Sequence, residues 1–225
     1  MQPLYVGYCA IVFIILGLTV LGINLFLPSL RRRRLVAGTF SRAFLWLAGI
    51  PFTVEGRSRL PQVPCVVVAN HASYIDGLVV AAALPPDFAF VIKKEMVRVP
   101  LASLLLRRLG SQFVERFDRH KGGVDARRVL KLAATGQSLV FFPEGTFNEV
   151  RQIGKFLGGA FATAARSDMP VVTVAIHGTR AVLPGGLGIH RLPIRVEILE
   201  ILTAGDARLR SRELIARAVG EPLAP

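Results

Sequence analysis

Cysteine is scarce: Cys9 and Cys65 are the only two in 225 residues. Two thiols so placed make neither a disulfide framework nor a metal-ligand pattern. A reduced, cytosol-facing domain is therefore the default, and no metal site is expected. Acidic residues are few as well, 15 Asp+Glu against 28 Lys+Arg. A nucleic-acid binder would be basic and polar, whereas 52% of this chain is hydrophobic. Apolar and basic together point to an anionic membrane surface and away from nucleic acid. Gly-x-Ser-x-Gly does not occur, which leaves no serine nucleophile elbow. The Gly185-Gly186 and Gly188 cluster lacks the Lys-Ser/Thr ending of a phosphate loop and reads as a turn. Internal repeats, low-complexity segments and flexible linkers are also missing.

Charge itself is missing from Leu4 to Leu27. A helix of that length covers about 36 Å, enough to cross a hydrocarbon core of roughly 30 Å. Arg31-Arg32-Arg33-Arg34 follows at once. Positive charge after the span argues for a cytoplasmic flank, and a signal peptide would carry it before the span. Gly7, Gly17, Gly22 and Pro28 leave a second possibility, a helix embedded in one leaflet. The arginines read as a stop-transfer flank or as lipid headgroup contacts. Leu35 to Ile50 is a shorter apolar helix containing Arg42, suited to lying at the interface.

From Phe52 onward the pattern changes. Phe52 to Glu55 alternates like a strand. Cys65-Val66-Val67-Val68-Ala69 is a continuous run, the mark of a strand covered on both faces. Further strands are expected at Phe88–Ile92, Gln112–Glu115, Ser138–Phe142, Pro170–Ile176 and Leu192–Ile201. Helices are expected at Gly77–Leu84, Pro100–Leu109, Val124–Thr135, Phe156–Arg166 and Arg208–Val219. This alternation defines an α/β class with a mostly parallel central sheet flanked by helices. An N-terminal membrane-anchoring segment, residues 1–50, would precede a domain of residues 51–225.

The chemistry-bearing residues cluster at strand exits, where α/β proteins place their sites. Asn70-His71-Ala72-Ser73-Tyr74-Ile75-Asp76 puts a His and an Asp five residues apart after the buried run. Imidazole takes a proton near neutral pH, and a carboxylate can hold its tautomer. Ser73 reads most simply as a helix N-cap. Phe113-Val114-Glu115-Arg116 and Phe142-Pro143-Glu144-Gly145-Thr146 follow two other strands. Alone, the His–Asp pair could be structural, Arg116 a solvated charge, and Glu144 a buried carboxylate fastening its loop.

Together these motifs resemble the glycerolipid acyltransferases of the 1-acylglycerol-3-phosphate acyltransferase family, over about residues 50 to 200 and in the same order. Asn70-His71…Asp76 matches its His-x4-Asp motif. Phe113 to Arg116 resembles its arginine block and Phe142 to Thr146 its Glu-Gly block. Lys93-Lys94-Glu95 followed by Pro100 is also typical. The resemblance implies an O-acyltransferase of phospholipid biosynthesis. It would move a fatty acyl chain from acyl-CoA or acyl carrier protein to a lyso-lipid hydroxyl, with no further cofactor. Membrane lipids, the lyso-lipid acceptor and the acyl donor would be its partners. His71 would be the base and Asp76 its orienting carboxylate, with no covalent acyl-enzyme. Asn70, Ser73, Arg116, Glu144, Gly145, Thr146 and Lys93 would line the substrate site, and Lys155 is a further phosphate candidate. By themselves Lys93 and Lys94 read as a membrane-facing or solvated charge pair. The implied place is the inner membrane, with the catalytic domain on the cytoplasmic side.

Three positions depart from the family pattern. Phe147 stands where Arg is frequent, Leu157 where Lys is frequent, and Thr173 where Pro is common. Two of these changes remove positive charge where an acceptor phosphate would sit. 1-Acylglycerol-3-phosphate thus shares the field with lyso-ornithine lipid and other lysophospholipids. A non-catalytic lipid-binding protein and an acyl hydrolase are the readings from other classes.

Overall fold

The structure is a computed structural model that describes residues 2–115, 119–146, 150–183 and 188–225. It opens with two long helices, α1 (Gln2–Phe26) and α2 (Leu30–Leu47). A strand β1 (Phe52–Glu55) leads to β2 (Val66–Ala69) and α3 (Asp76–Ala83). Then come β3 (Phe88–Lys93), a 3₁₀ turn at Lys94–Arg98, α4 (Pro100–Arg108) and β4 (Gln112–Val114). The body continues with α5 (Arg119–Ala134), β5 (Ser138–Phe141), α6 (Gly159–Arg166), β6 (Val171–His177) and the short α7 (Thr179–Val182). It closes with β7 (Ile194–Leu202) and α8 (Ala207–Val219).

The strands form one seven-stranded sheet in the order β1-β7-β6-β2-β5-β3-β4. Every pair is parallel except β6 with β7. All four residues of β2 are buried, as expected for a β-branched strand with neighbours on both edges and layers on both faces. Two apolar clusters cover the two faces. One holds Phe44, Leu45, Val67, Val79, Val80 and Ile198 beneath α2 and α3. The other holds Val66, Val68, Phe156, Phe161 and Ile215 beneath α6 and α8. Thr173, where the family pattern has Pro, meets Ser211 at 2.9 Å and joins β6 to α8 through buried hydroxyls.

Helices α1 and α2 run antiparallel around the turn at Pro28. Tyr5 donates to Ala48 O at 2.6 Å, Tyr8 donates to Leu47 O at 3.1 Å, and Phe13 meets Phe44 edge-on. At the other end of α1, Arg108 donates to Asn24 O and Leu25 O. α1 is long and apolar enough to cross a membrane. Much of its length is nevertheless exposed apolar surface, including Ile11, Phe13, Ile14, Ile15 and Leu18.

The arginine run is neither a loop nor a plain solvated flank. It forms the first turn of α2, which starts at Leu30 rather than Leu35. Arg31 pairs with Asp87, Arg33 donates to Leu27 O and Arg108 O, and Arg34 donates to Leu109 O and Gln137 Oε1. Such contacts to the last carbonyls of neighbouring helices are C-capping by side chain. They fasten the start of α2 to the domain. Gly38 then lets α2 sit against α3, because a Cβ there would lie 2.8 Å from Ala81 O.

Candidate active site

β2, β3, β4, β5 and β6 run in one direction, so their C-terminal ends share one edge of the sheet. That edge gathers the loop 70–76 after β2, Lys93 at the end of β3, the turn 142–146 after β5, and Gly178 with α7 after β6. It is the edge at which open α/β sheets place their ligands.

His71 Nδ1 lies 2.8 Å from Asp76 Oδ2. The same oxygen accepts the backbone N–H of Ala72 at 2.6 Å and of Ser73 at 2.8 Å. Asp76 is fully buried as the first residue of α3. A buried carboxylate is tolerated there because two backbone donors and the start of a helix face its charge. With Nδ1–H donated to Asp76, the imidazole presents Nε2 as its basic nitrogen. Phe142 stacks on the ring at 4.5 Å between centroids and 25° between planes. The side chain of His71 retains 21% exposure, enough to meet a substrate.

Glu144 ties the loops together. Its Oε1 accepts His71 N–H at 2.7 Å and its Oε2 accepts Gly154 N–H at 2.7 Å. Burial pushes the Glu144 carboxyl above its ordinary range, and these two N–H bonds and the charges of His71 and Arg180 pull it back. The carboxylate is thus a clamp between the His71 loop and residue 154. Gly145, at φ +81°, closes the Phe142–Gly145 turn by donating to Phe142 O at 3.0 Å. That turn conformation suits glycine. The N–H groups of residues 71, 72 and 73 all point at carboxylates, so oxyanion donors must come from other segments.

The remaining site candidates divide. Asn70 is buried, and its amide makes a reciprocal pair with the backbone of Ile176, at 2.9 Å to the carbonyl and 2.8 Å from the N–H. It extends the β2–β6 ladder by a side chain, so both its polar atoms are engaged within the protein. Ser73 is not the helix N-cap. Ile75 holds that position without a side-chain bond, and the Ser73 hydroxyl points to Leu183 O at 3.4 Å. The reason is that the Asp76 carboxylate already collects the turn's N–H groups. Thr146, Lys93 and Lys155 are exposed, the first two on the site edge. Arg116, Phe147 and the Gly185-Gly186 turn lie outside the described residues.

Several supports of the site carry no local sequence signal. Gly154 is held from α8, where Arg212 donates to Gly154 O at 2.8 Å and to Ile153 O at 3.0 Å. The C-terminal segment adds to this, since Ile153 N donates to Pro222 O and Ala224 N donates to Ile153 O. Arg180 on α7 pairs with Glu221 at 3.3 Å. A Gly, an Arg and a tail separated by tens of residues become one support only through the fold.

The family described as Acyltransferase matches residues 51–177, more than half of the chain. The chain belongs to this acyltransferase family. A chloroplast 1-acyl-sn-glycerol-3-phosphate acyltransferase of Brassica napus is 30% identical over 188 residues, 81% of this chain and 54% of that protein. A lyso-ornithine lipid O-acyltransferase of Pseudomonas aeruginosa is 31% identical over 183 residues, 76% of this chain and 68% of that protein. The match spans about half the length of some of these curated relatives, and 38% of one from Arabidopsis thaliana. The crystal structure of the 1-acyl-sn-glycerophosphate acyltransferase of Thermotoga maritima shares the fold. Its TM-score is 0.77 at 24% identity, covering 96% of this chain and 92% of that one.

Proposed function

We propose that the chain is a membrane-associated O-acyltransferase that moves a fatty acyl group from acyl-CoA or acyl carrier protein to the hydroxyl of a lyso-lipid. The observation that carries this reading is the His71–Asp76 pair at 2.8 Å on the ligand-binding edge of the sheet. An alcohol is a poor nucleophile until a base takes its proton as the new bond forms. His71 Nε2 takes that proton while the acceptor oxygen attacks the thioester carbonyl carbon. The tetrahedral intermediate then collapses, the C–S bond breaks, and the imidazolium returns the proton to the departing thiolate. Asp76 holds the tautomer and offsets the imidazolium charge. Glu144 and Phe142 set the position of the ring.

The preferred acceptor is 1-acylglycerol-3-phosphate, giving phosphatidic acid, in line with the activity named for the Brassica napus relative. Arg116 would grip the phosphate, and Lys93 at the end of β3 is a second candidate contact. Arg116→Ala is expected to raise the acceptor KM about tenfold or more with a smaller change in kcat. An unchanged KM would remove Arg116 from the acceptor site. Lyso-ornithine lipid is the second reading, favoured by the Pseudomonas relative and by Phe147 and Leu157 at positions where the family is often basic. Incubating purified protein with labelled acyl donor and a panel of lyso-lipids decides between them. Acyl release to water without an acceptor would instead favour a hydrolase, and no turnover a lipid-binding protein.

The helical hairpin supports association with one leaflet of the inner membrane, from the cytoplasmic side. The domain touches α1 near both ends, where Arg191 lies over the Tyr5 ring and Arg108 donates to Asn24 O. A helix crossing the bilayer could not keep both contacts without drawing the domain in with it. Exposed Trp46 on α2 suits the interface.

A further inference from the structure

Surface leucines and valines occur singly on any protein and need no explanation. Those between residues 97 and 104 are not single. Val97, Val99, Leu101 and Leu104 are 36%, 48%, 59% and 40% exposed, within the 3₁₀ turn and first turns of α4. Leu101, Leu104 and Arg108 follow one another at i, i+3 and i+7, which places them on one stripe of the helix. Arg108 reaches Asn24 O and Leu25 O, the last carbonyls of α1. The stripe therefore stands beside the end of α1, where Leu25 and Phe26 are also exposed. Lys94, Arg98 and Arg107 are exposed around it, and Glu95 is the only acidic residue from Lys93 to Gly110.

We propose that the segment Lys94–Arg108 is a second membrane-contacting element, lying on an anionic leaflet beside the α1–α2 hairpin. This rests on the membrane-associated reading above and extends it from residues 1–50 into the catalytic domain. The occupant is a lipid surface because the apolar stripe continues that of α1 and its borders are basic. Leucine and valine enter the acyl boundary while Lys94, Arg98 and Arg107 meet anionic headgroups. The segment begins directly after Lys93, at the end of β3 on the site edge. The leaflet is thereby brought to that edge, and a lyso-lipid reaches it by lateral diffusion rather than through water.

The test uses full-length protein carrying one introduced thiol labelled with an environment-sensitive fluorophore. Cys9 and Cys65 are buried, and burial pushes the Cys65 thiol up to about 11, so labelling of the native protein is selective for the new site. The variants are Leu101→Cys, Leu104→Cys, Ile14→Cys on α1, and Leu209→Cys on α8. Leu209 is 71% exposed but sits on the helix covering the other face of the sheet. Vesicles of phosphatidylglycerol and phosphatidylethanolamine with brominated acyl chains serve as the quencher. Quenching at 101 and 104 is expected to match that at 14, with none at 209. Quenching at 14 alone overturns the proposal and leaves the hairpin reading intact. Quenching at none of the four overturns both. As a second measure, Lys94→Gln and Arg98→Gln should each weaken partitioning into these vesicles by about fivefold at low salt, with no effect on neutral vesicles. Equal loss on both vesicle types would overturn the headgroup contact.

Discussion

Replacing His71 by alanine is expected to abolish acyl transfer while leaving the protein folded and bound to membranes. General-base catalysis contributes typically 10²–10⁴-fold, and without it the acceptor hydroxyl has no proton sink in the site. The fold should tolerate the change because the ring is partly exposed and its contacts include a stacked phenyl group and one carboxylate. The bond that Glu144 makes to residue 71 is to the backbone and survives the substitution. Asp76→Asn separates orientation from basicity. It keeps the shape of the group but not the charge that holds the Nδ1–H tautomer, so turnover should fall by about 10²–10⁴. It should also lower stability by about 1–3 kcal/mol, because the carboxylate is buried and accepts two backbone N–H groups. Acyl transfer, circular dichroism and vesicle sedimentation on the two variants give the answer. Wild-type turnover in His71→Ala would sink the mechanism.

The parts of this site that were legible in the sequence are those whose signal is local. Val66 to Val68 are β-branched and Ala69 keeps the run apolar, so its place in the middle of the sheet could be read directly. His71 and Asp76 are five residues apart, and a turn running into a helix brings them together without help from distant segments. Boundaries set by tertiary contact were less legible. The expected helix start at Phe156 moves to Gly159, because Phe156 is buried in the core and Leu157 N–H is drawn to Pro143 O. The short helix α7 follows a glycine at φ +86° whose Cβ, if present, would lie 2.2 Å from Pro193 O. Nothing near residue 178 announces Pro193. By composition the four arginines at 31–34 read as a flank. Their role as helix caps depends on carbonyls at residues 27, 108 and 109. Asn70 belongs to the family motif beside His71, and its amide pairs with the backbone of Ile176, 106 residues away, which no local signal announces.

Glu144 is where the two readings of one residue, acceptor contact and loop fastener, predict different outcomes, and where a second large effect is expected. As an acceptor contact, its removal would raise the acceptor KM and leave thermal stability unchanged. As a clamp, its removal leaves the N–H groups of His71 and Gly154 without an acceptor, at about 1–3 kcal/mol for each donor that water cannot reach. Turnover should then fall, by about 10²-fold if the imidazole moves by an ångström, while the acceptor KM changes little. Glu144→Gln is the sharper variant. It preserves volume and one acceptor, yet turns an amide NH2 toward one of the two N–H donors. A lower melting temperature together with lower kcat is the expected result, and a KM effect alone would refute the clamp. Arg212 extends the same test to a residue on α8 that lies outside the family's motifs. Its guanidinium holds the carbonyls of Ile153 and Gly154 from behind. Arg212→Lys keeps the charge and loses the fork, so it should lower kcat in the same direction as Glu144→Gln and by less. Combining the two should cost less than the sum of the separate losses, because both act through the position of Gly154 and so of His71.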